Sequence, residues 1–143
     1  MAATLLFVPV ADVPDAWKYC APFIQDALET TQGENDIVDV EQFCREGAWQ
    51  LWALAGEQTV VGAAVTQVVK YPRKTMLELI YFGATLPREE WLAAMSNEGT
   101  LETWAKKRGC THIMLHGRNG AERACKQHGY ERWYVCMGKN LAA

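Results

Sequence analysis

The apolar positions in the middle of the chain fall into runs of strand length that are separated by turn residues. Residues 49–54 and 59–69 flank the short link 55–58, which is the pattern of an antiparallel hairpin. Residues 75–84 follow across a turn at 71–74, and residues 5–10 form an earlier short apolar run. We therefore predict one strand near the amino terminus and a three-stranded meander in the middle of the chain.

The last run of the meander differs from the others because both of its faces are mostly apolar. Side chains of a strand point alternately to opposite faces of the sheet, so a strand with two apolar faces is covered on both sides. We therefore predict that residues 75–84 lie in the middle of a sheet. Leu77, Leu79 and Tyr81 form one face of this predicted strand, and Met76, Glu78, Ile80 and Phe82 form the other.

Three stretches between the strands show helical spacing. Residues 13–28 place Trp17, Cys20 and Ile24 on one face, which predicts an amphipathic helix that ends near Gly33. A second helix is predicted over residues 40–47, with Asp39 as its N-cap. The longest helical region, residues 87–108, is predicted to break at 96–99 and to stop at a basic cluster before Gly109.

The carboxyl-terminal quarter of the chain has the pattern of a strand, a turn, a helix and a second strand. Residues 111–116 are apolar enough for a buried strand, residues 117–120 supply the turn, and residues 121–128 fit a short helix. Gly129 is the expected left-handed residue after that helix. Residues 132–138 are again apolar and aromatic, so we predict that they form the final strand.

The predicted elements follow the order β-α-α-β-β-β-α-β-α-β. This order indicates an α/β (α+β) fold with a central mixed sheet of about six strands and about four helices. The 143 residues can bury one proper core, and no repeat, low-complexity tract or linker divides them, so we predict a single domain over residues 1–143.

The carboxyl-terminal unit resembles the GNAT (Gcn5-related N-acetyltransferase) superfamily. Ala121, Gly129 and Tyr130 fall where that superfamily has its A-x-x-[F/L]-Y-x-x-x-G-[F/Y] signature, and the predicted order of elements follows the GNAT order over nearly the whole chain. More narrowly, a longer set of residues resembles the ending of short GNAT-like proteins encoded by tailed phages and prophages. That set is Gly117, Arg118, Gly120, Arg123, Gly129, Tyr130 and Lys139.

The resemblance implies an acyl-CoA site after the fourth strand, in which backbone N–H groups meet the pyrophosphate. The sequence departs from the family pattern there, because residues 83–90 contain one glycine, a proline without an N–H group, and Glu89 and Glu90 in the first helical turn. Those carboxylates would repel a pyrophosphate. The candidate positions for the acyl-CoA are Phe82, Gly83, Ala84, Thr85 and Arg118.

The resemblance also implies a general base and an acid. Glu78 lies on the strand where many relatives place a glutamate that deprotonates the amine. Cys125 falls where the family has the tyrosine that protonates the departing thiolate. The alternative explanations are a strand carboxylate that meets solvent or pairs with a lysine, and a cysteine that packs as a small core residue.

Composition limits the other classes of function. The net charge of −3 gives no support for a nucleic acid partner, and no apolar run is long enough to span a membrane. The five cysteines have no recurring spacing, which favours a reducing, cytoplasmic compartment over a disulfide framework. His112, His116 and His128 lie near three of the cysteines, but the spacing fits a zinc site poorly, so we expect no metal.

Two functions from different classes follow. The favoured hypothesis from the sequence is a GNAT-fold protein with a degenerate acyl-CoA site and no cofactor. This protein would be a non-catalytic binding or structural component of a phage particle or its assembly, with other virion proteins as partners. The alternative is an active N-acyltransferase that uses acetyl-CoA, with Glu78 as general base. The sequence leaves open the partner, the oligomeric state, the place in any particle and the amine substrate.

Overall fold

The computed structural model describes residues 3–95, 100–117 and 121–142. Over these residues the chain forms one five-stranded mixed sheet with strands in the order β1-β2-β3-β4-β5. The first four strands pair antiparallel, and β5 pairs parallel with β4. The strands are β1 (Thr4–Val8), β2 (Gln50–Ala55), β3 (Val60–Lys70), β4 (Thr75–Ala84) and β5 (His112–Leu115).

Helices cover both faces of the sheet, and each face has its own apolar layer. Buried residues of the first two helices pack on one face, and buried residues of the third and fourth helices pack on the other. The predicted α+β class is therefore confirmed, and β4 lies between β3 and the edge strand β5. The helices are α1 (Val13–Leu28), α2 (Ile37–Glu46), α3 (Arg88–Met95), α4 (Leu101–Lys107) and α5 (Glu122–Lys126), and a single 3-10 turn (Val10–Asp12) precedes α1.

A bulge in β4 changes which residues share a face. Thr66 of β3 pairs with Leu79 and Val65 pairs with Tyr81, so Ile80 is an extra residue in β4. Leu79 therefore packs with α3 and α4, whereas Tyr81 packs with α1 and α2. The predicted uniform alternation of β4 is wrong beyond Leu79, because a strict period of two has no place for an inserted residue.

The pairing of β4 with β5 stops before β4 ends. The parallel register runs from Met76 opposite His112 to Leu79 opposite Leu115. Among the described residues, the β5 side of β4 therefore has no strand partner from Ile80 to Ala84. The bulge and the end of this pairing coincide, so an open strand edge begins directly after Leu79.

The predicted start of the second helix needs correction. The second helix begins at Ile37, earlier than predicted, because Asp36 is its N-cap and accepts hydrogen bonds from the backbone N–H groups of Val38 and Asp39. Asp39 is the third helical residue and closes a capping box through the backbone N–H of Asp36. The long helical region forms two helices, as predicted, but the predicted break at 96–99 lies outside the described residues.

The predicted last strand, residues 132–138, is wrong. The structure assigns no strand after α5 within residues 121–142, although Gly129 has the predicted left-handed conformation with φ +90°. Adjacent side chains within this segment are both exposed, for example Tyr134 at 70% and Val135 at 65%, so neither face of the segment is covered. Strand preference depends on packing against a covered surface, and this segment gains no such burial.

None of the described helices is long and apolar enough to cross a membrane. Four of the cysteines are buried, Cys136 is exposed, and all five are free thiols. Within the described parts of the chain, no three His, Cys, Asp or Glu side chains cluster in a way that would hold a metal ion.

Candidate functional site

The predicted base, Glu78, lies on β4 directly opposite Gln67 of β3. The Gln67 side-chain amide donates a hydrogen bond from Nε2 to Glu78 Oε1, with a length of 2.8 Å. Trp49 in turn donates from Nε1 to Gln67 Oε1 at 2.7 Å, which fixes the orientation of the amide. A tryptophan, an amide and a carboxylate therefore form one chain of hydrogen bonds across β2, β3 and β4, because Trp49 immediately precedes β2.

The second carboxylate oxygen of Glu78 faces β5. Met114 is the register partner of Glu78, so the residue two positions later, His116, emerges from the end of β5 beside the carboxylate. His116 Nε2 lies 3.4 Å from Glu78 Oε2. The side chain of His116 is 59% exposed, whereas that of Glu78 is only 18% exposed. The carboxylate is thus sheltered, and the imidazole connects it to solvent.

The β4 bulge adds a tyrosine to the same face as Glu78. Gln67 shares its face with Val65, which packs with α1 and α2, and Tyr81 packs in that same layer. The buried Tyr81 hydroxyl accepts a hydrogen bond from Asn35 Nδ2 at 2.9 Å, and its ring meets the Trp49 ring edge to face, with centroids 6.2 Å apart. Through Trp49, the Tyr81 ring therefore adjoins the hydrogen-bond chain that ends on Glu78.

This arrangement suits proton transfer. One oxygen of Glu78 is occupied by the amide of Gln67, and the other points toward a titratable ring. A general base must be positioned within hydrogen-bond reach of the proton that it takes. The hydrogen-bond chain holds Glu78 in place. Its other oxygen, Oε2, is therefore a positioned proton acceptor on the sheet face.

The stretch proposed to hold acyl-CoA is part of the sheet for most of its length. Phe82, Gly83 and Ala84 pair with Ala64, Ala63 and Gly62 of β3, respectively. The backbone N–H of Thr85 donates to the carbonyl of Val61 at 2.9 Å. A side chain at Gly83 would overlap the carbonyl oxygen of Phe23 in α1, so the glycine serves close packing of the helix on the sheet.

The start of α3 offers few N–H groups for an anion and presents negative charge. Pro87 has no N–H, and its carbonyl accepts from the N–H groups of Glu90 and Trp91. Glu89 and Glu90 are both exposed in the first turn, where their carboxylates already complement the helix dipole. Arg118, the remaining candidate for the acyl-CoA site, lies outside the described residues.

Cys125, the predicted acid, lies in α5 and lines the same cavity as His116. Its side chain is buried in α5, and within the described part of the chain no hydrogen bond links it to Glu78. Burial raises the pKa of the Cys125 thiol, although the positive charge of Arg88 acts in the opposite direction. The raised pKa keeps the thiol protonated, which both a packing residue and the predicted acid require.

Three residues of the site were not singled out from the sequence: Trp49, Gln67 and His116. The signal for Gln67 was present, because the turn closed by Tyr71 and Lys74 sets Lys70 opposite Thr75 and therefore Gln67 opposite Glu78. His116 was considered only as a possible metal ligand. Its position beside Glu78 depends on the parallel register of β5, which spacing along the chain does not reveal.

No protein-family model matches the sequence, and no curated protein sequence matches it. Solved structures do match. A GNAT family acetyltransferase from Staphylococcus aureus is 14% identical, with a TM-score of 0.63 over 99% of this chain and 100% of that chain. Glucosamine-6-phosphate N-acetyltransferase from Arabidopsis thaliana is 10% identical, with a TM-score of 0.67 over 99% of both chains.

A third structure points to the same fold. It is an aminoglycoside acetyltransferase from an uncultured soil metagenomic sample in complex with sisomicin. It is 10% identical and has a TM-score of 0.65 over 97% of this chain and 96% of that chain. At such identities the likeness concerns architecture, and residue roles do not transfer with it. The chain therefore has the fold of the GNAT acetyltransferases.

Proposed function

We propose that the protein is an N-acyltransferase that moves an acyl group from acyl-CoA to an amine, with Glu78 as the proton acceptor. The observation that supports this most strongly is the hydrogen-bond chain from Trp49 through Gln67 to Glu78. Its geometry leaves one sheltered carboxylate oxygen available on a fixed strand. The solved structures with this fold include acetyltransferases, which agrees with the proposed reaction.

The proposed chemistry needs a base because alkylamines are protonated at neutral pH. Glu78 Oε2 takes a proton from the ammonium group, and the neutral nitrogen then attacks the thioester carbonyl carbon. The new N–C bond forms and the C–S bond breaks, and the nitrogen gives up a second proton, which ends on the departing thiolate. The products are an amide and the free thiol, with one proton released to solvent. A positioned base of this kind contributes roughly a hundredfold to ten-thousandfold to the rate.

The open edge of β4 from Ile80 to Ala84 is the proposed place for the acyl donor. It starts two residues after Glu78 and has no strand partner on its β5 side among the described residues. An extended molecule with amide groups, such as the pantetheine arm of CoA, can bond to such an edge as an added strand does. The thioester would then lie close to the Glu78 carboxylate.

The pyrophosphate of the donor is expected to bind weakly. The N–H of Thr85 is already bonded, and Glu89 and Glu90 stand near the place where the resemblance puts the phosphates. Each hydrogen bond to a charged group contributes about 1.5–3 kcal/mol, so losing two of them shifts a micromolar affinity to the millimolar range. We therefore propose an enzyme that works with a weakly bound donor.

An assay of acetyl transfer to several amines tests the proposal. The wild-type protein is incubated with millimolar acetyl-CoA and, separately, sisomicin, glucosamine 6-phosphate or a lysine-containing peptide. Thiol release and the mass of the acetylated product are measured. We expect acetylated product with at least one acceptor. The proposal would be contradicted if, for all three acceptors, product formed no faster with the protein than without it.

The second candidate is a non-catalytic binding component, such as a part of a phage particle or its assembly. It is favoured by the same segment, residues 83–90, whose pairing and charge disfavour an acyl-CoA ligand. Exposed apolar side chains after α5, including Trp133, Tyr134 and Met137, suit a protein partner. Stoichiometric presence of the chain in purified particles, together with absence of acetyl transfer, would favour this candidate.

A further inference from the structure

We propose that His116 takes the proton from Glu78 and passes it to solvent in each catalytic cycle. This inference rests on the proposed acyl transfer and names the route by which its base is regenerated. His116 lies at the end of β5, and its Nε2 is 3.4 Å from Glu78 Oε2. It acts through Glu78 and does not need to touch the amine.

The two oxygens of Glu78 have different surroundings, which defines the route. Oε1 accepts the hydrogen bond of Gln67, so its direction is fixed by the amide. Oε2 faces the imidazole and is the oxygen that can hold the incoming proton. Because the carboxylate is 18% exposed and the imidazole 59% exposed, the path from Oε2 through the ring leads from the sheltered sheet face to water.

The proton balance of this relay closes without a further reactant. In its neutral form, with the proton on Nδ1, His116 has a lone pair on Nε2 that accepts the proton from the Glu78 carboxyl group. The imidazolium then releases the Nδ1 proton to water or buffer, and Glu78 returns to the carboxylate. The distance of 3.4 Å exceeds the range for direct transfer, so a small closing movement or one bridging water is needed.

Structural stabilisation is a weak explanation for this pair. The distance of 3.4 Å is long for a hydrogen bond, and the imidazole is mostly in solvent, so the contact contributes little to stability. His112 offers a comparison, since it is the exposed first residue of β5, whereas His116 directly follows the strand; the His112 ring contacts Trp133 and the Thr111 hydroxyl. Only His116 of these two histidines is placed to receive a proton from Glu78.

Chemical rescue with imidazole tests the relay. The assay uses acetyl-CoA and the best acceptor among sisomicin, glucosamine 6-phosphate and a lysine peptide, at low buffer concentration. We expect His116→Ala to lower kcat about tenfold, with KM for the amine unchanged, because a proton-transfer step is slowed. Added imidazole should restore kcat as its concentration rises, whereas His112→Ala should match the wild type throughout.

The outcomes separate the relay from the proposed function. An active wild type with an equally active His116→Ala variant would overturn the relay and leave the acyl transfer standing. A loss in His116→Ala that imidazole does not restore would also overturn it, since a misplaced Glu78 gains nothing from free imidazole. An inactive wild type would overturn both. Melting temperatures of the two variants show that each remains folded.

Discussion

Two neighbouring parts of β4, at Glu78 and at Gly83, differ in how their surroundings suit the proposed acyl transfer. At Glu78, side chains contributed by separate strands converge, with Gln67 on one carboxylate oxygen and His116 beside the other. Five residues later, Gly83 and Ala84 are paired along β3, and the following turn leads to two exposed carboxylates. The half of the proposed site assigned to the base is therefore held by side-chain contacts, whereas the half assigned to the phosphates offers few N–H groups.

This contrast shows what each half requires. A proton acceptor needs one carboxylate in a fixed position, which neighbouring strands supply through their register. A pyrophosphate site needs several aligned N–H groups, and these are lost when a loop is drawn into sheet pairing or contains a proline. In the proposed enzyme, residues after β4 can therefore depart from a phosphate-binding pattern without disturbing the base.

The largest effect is expected from Glu78→Gln, which keeps the shape of the side chain but removes its ability to take a proton. Acetyl transfer should fall roughly a hundredfold to ten-thousandfold. The rate of product formation is measured by mass spectrometry, with Glu29→Gln at the exposed end of α1 as a control that retains activity. A variant within threefold of the wild type would remove Glu78 from the mechanism.

The next effect is on stability and concerns Gly83, in the part of β4 proposed to bind the acyl donor. Gly83→Ala should destabilise the fold by about 3 kcal/mol, because the added methyl group overlaps the Phe23 carbonyl and α1 must move. Urea unfolding measures this change in free energy. Gly138→Ala is the control, since a methyl group there meets nothing within 4 Å. Equal stability of both variants would mean that α1 does not pack on β4 as described.

A smaller effect, on the affinity for acetyl-CoA, is expected when the negative charges at the start of α3 are removed. The double variant Glu89→Gln/Glu90→Gln should bind acetyl-CoA about fivefold more tightly, because two exposed negative charges are removed near the phosphates. Calorimetric titration at low and high salt measures the gain, which should shrink as salt screens the charges. Glu29→Gln/Glu46→Gln, which removes two exposed charges at the ends of α1 and α2, is the charge-matched control. An unchanged affinity in the double variant would place the phosphates elsewhere.

Much of the fold was predictable because it depends on local patterns. The meander followed from apolar runs and turns, and Gly129 from its place after a helix. The extra residue Ile80 was not predictable, since a bulge leaves no mark in an all-apolar strand. Residues 132–138 have strand-forming side chains, but they form no strand because the surrounding structure provides no surface to bury them.

The site was only half predictable for a related reason. Glu78 stood out as a charged residue in an apolar run, but its partners depend on register. Gln67 meets it through the antiparallel pairing of β3, and His116 through the parallel pairing of β5. Cys125 was proposed by alignment to the family signature, and the structure places its thiol in a buried position in α5. Spacing along the chain does not report which side chains face each other across a sheet.

The dependence of the acetyl-transfer rate on acetyl-CoA concentration tests both halves of the site at once. We predict that the wild type transfers acetyl groups and that the rate rises into the millimolar range before it saturates. Saturation at micromolar acetyl-CoA would contradict the weak donor site after β4. No transfer at any concentration would contradict the role of Glu78 as a base and would favour a non-catalytic binding protein.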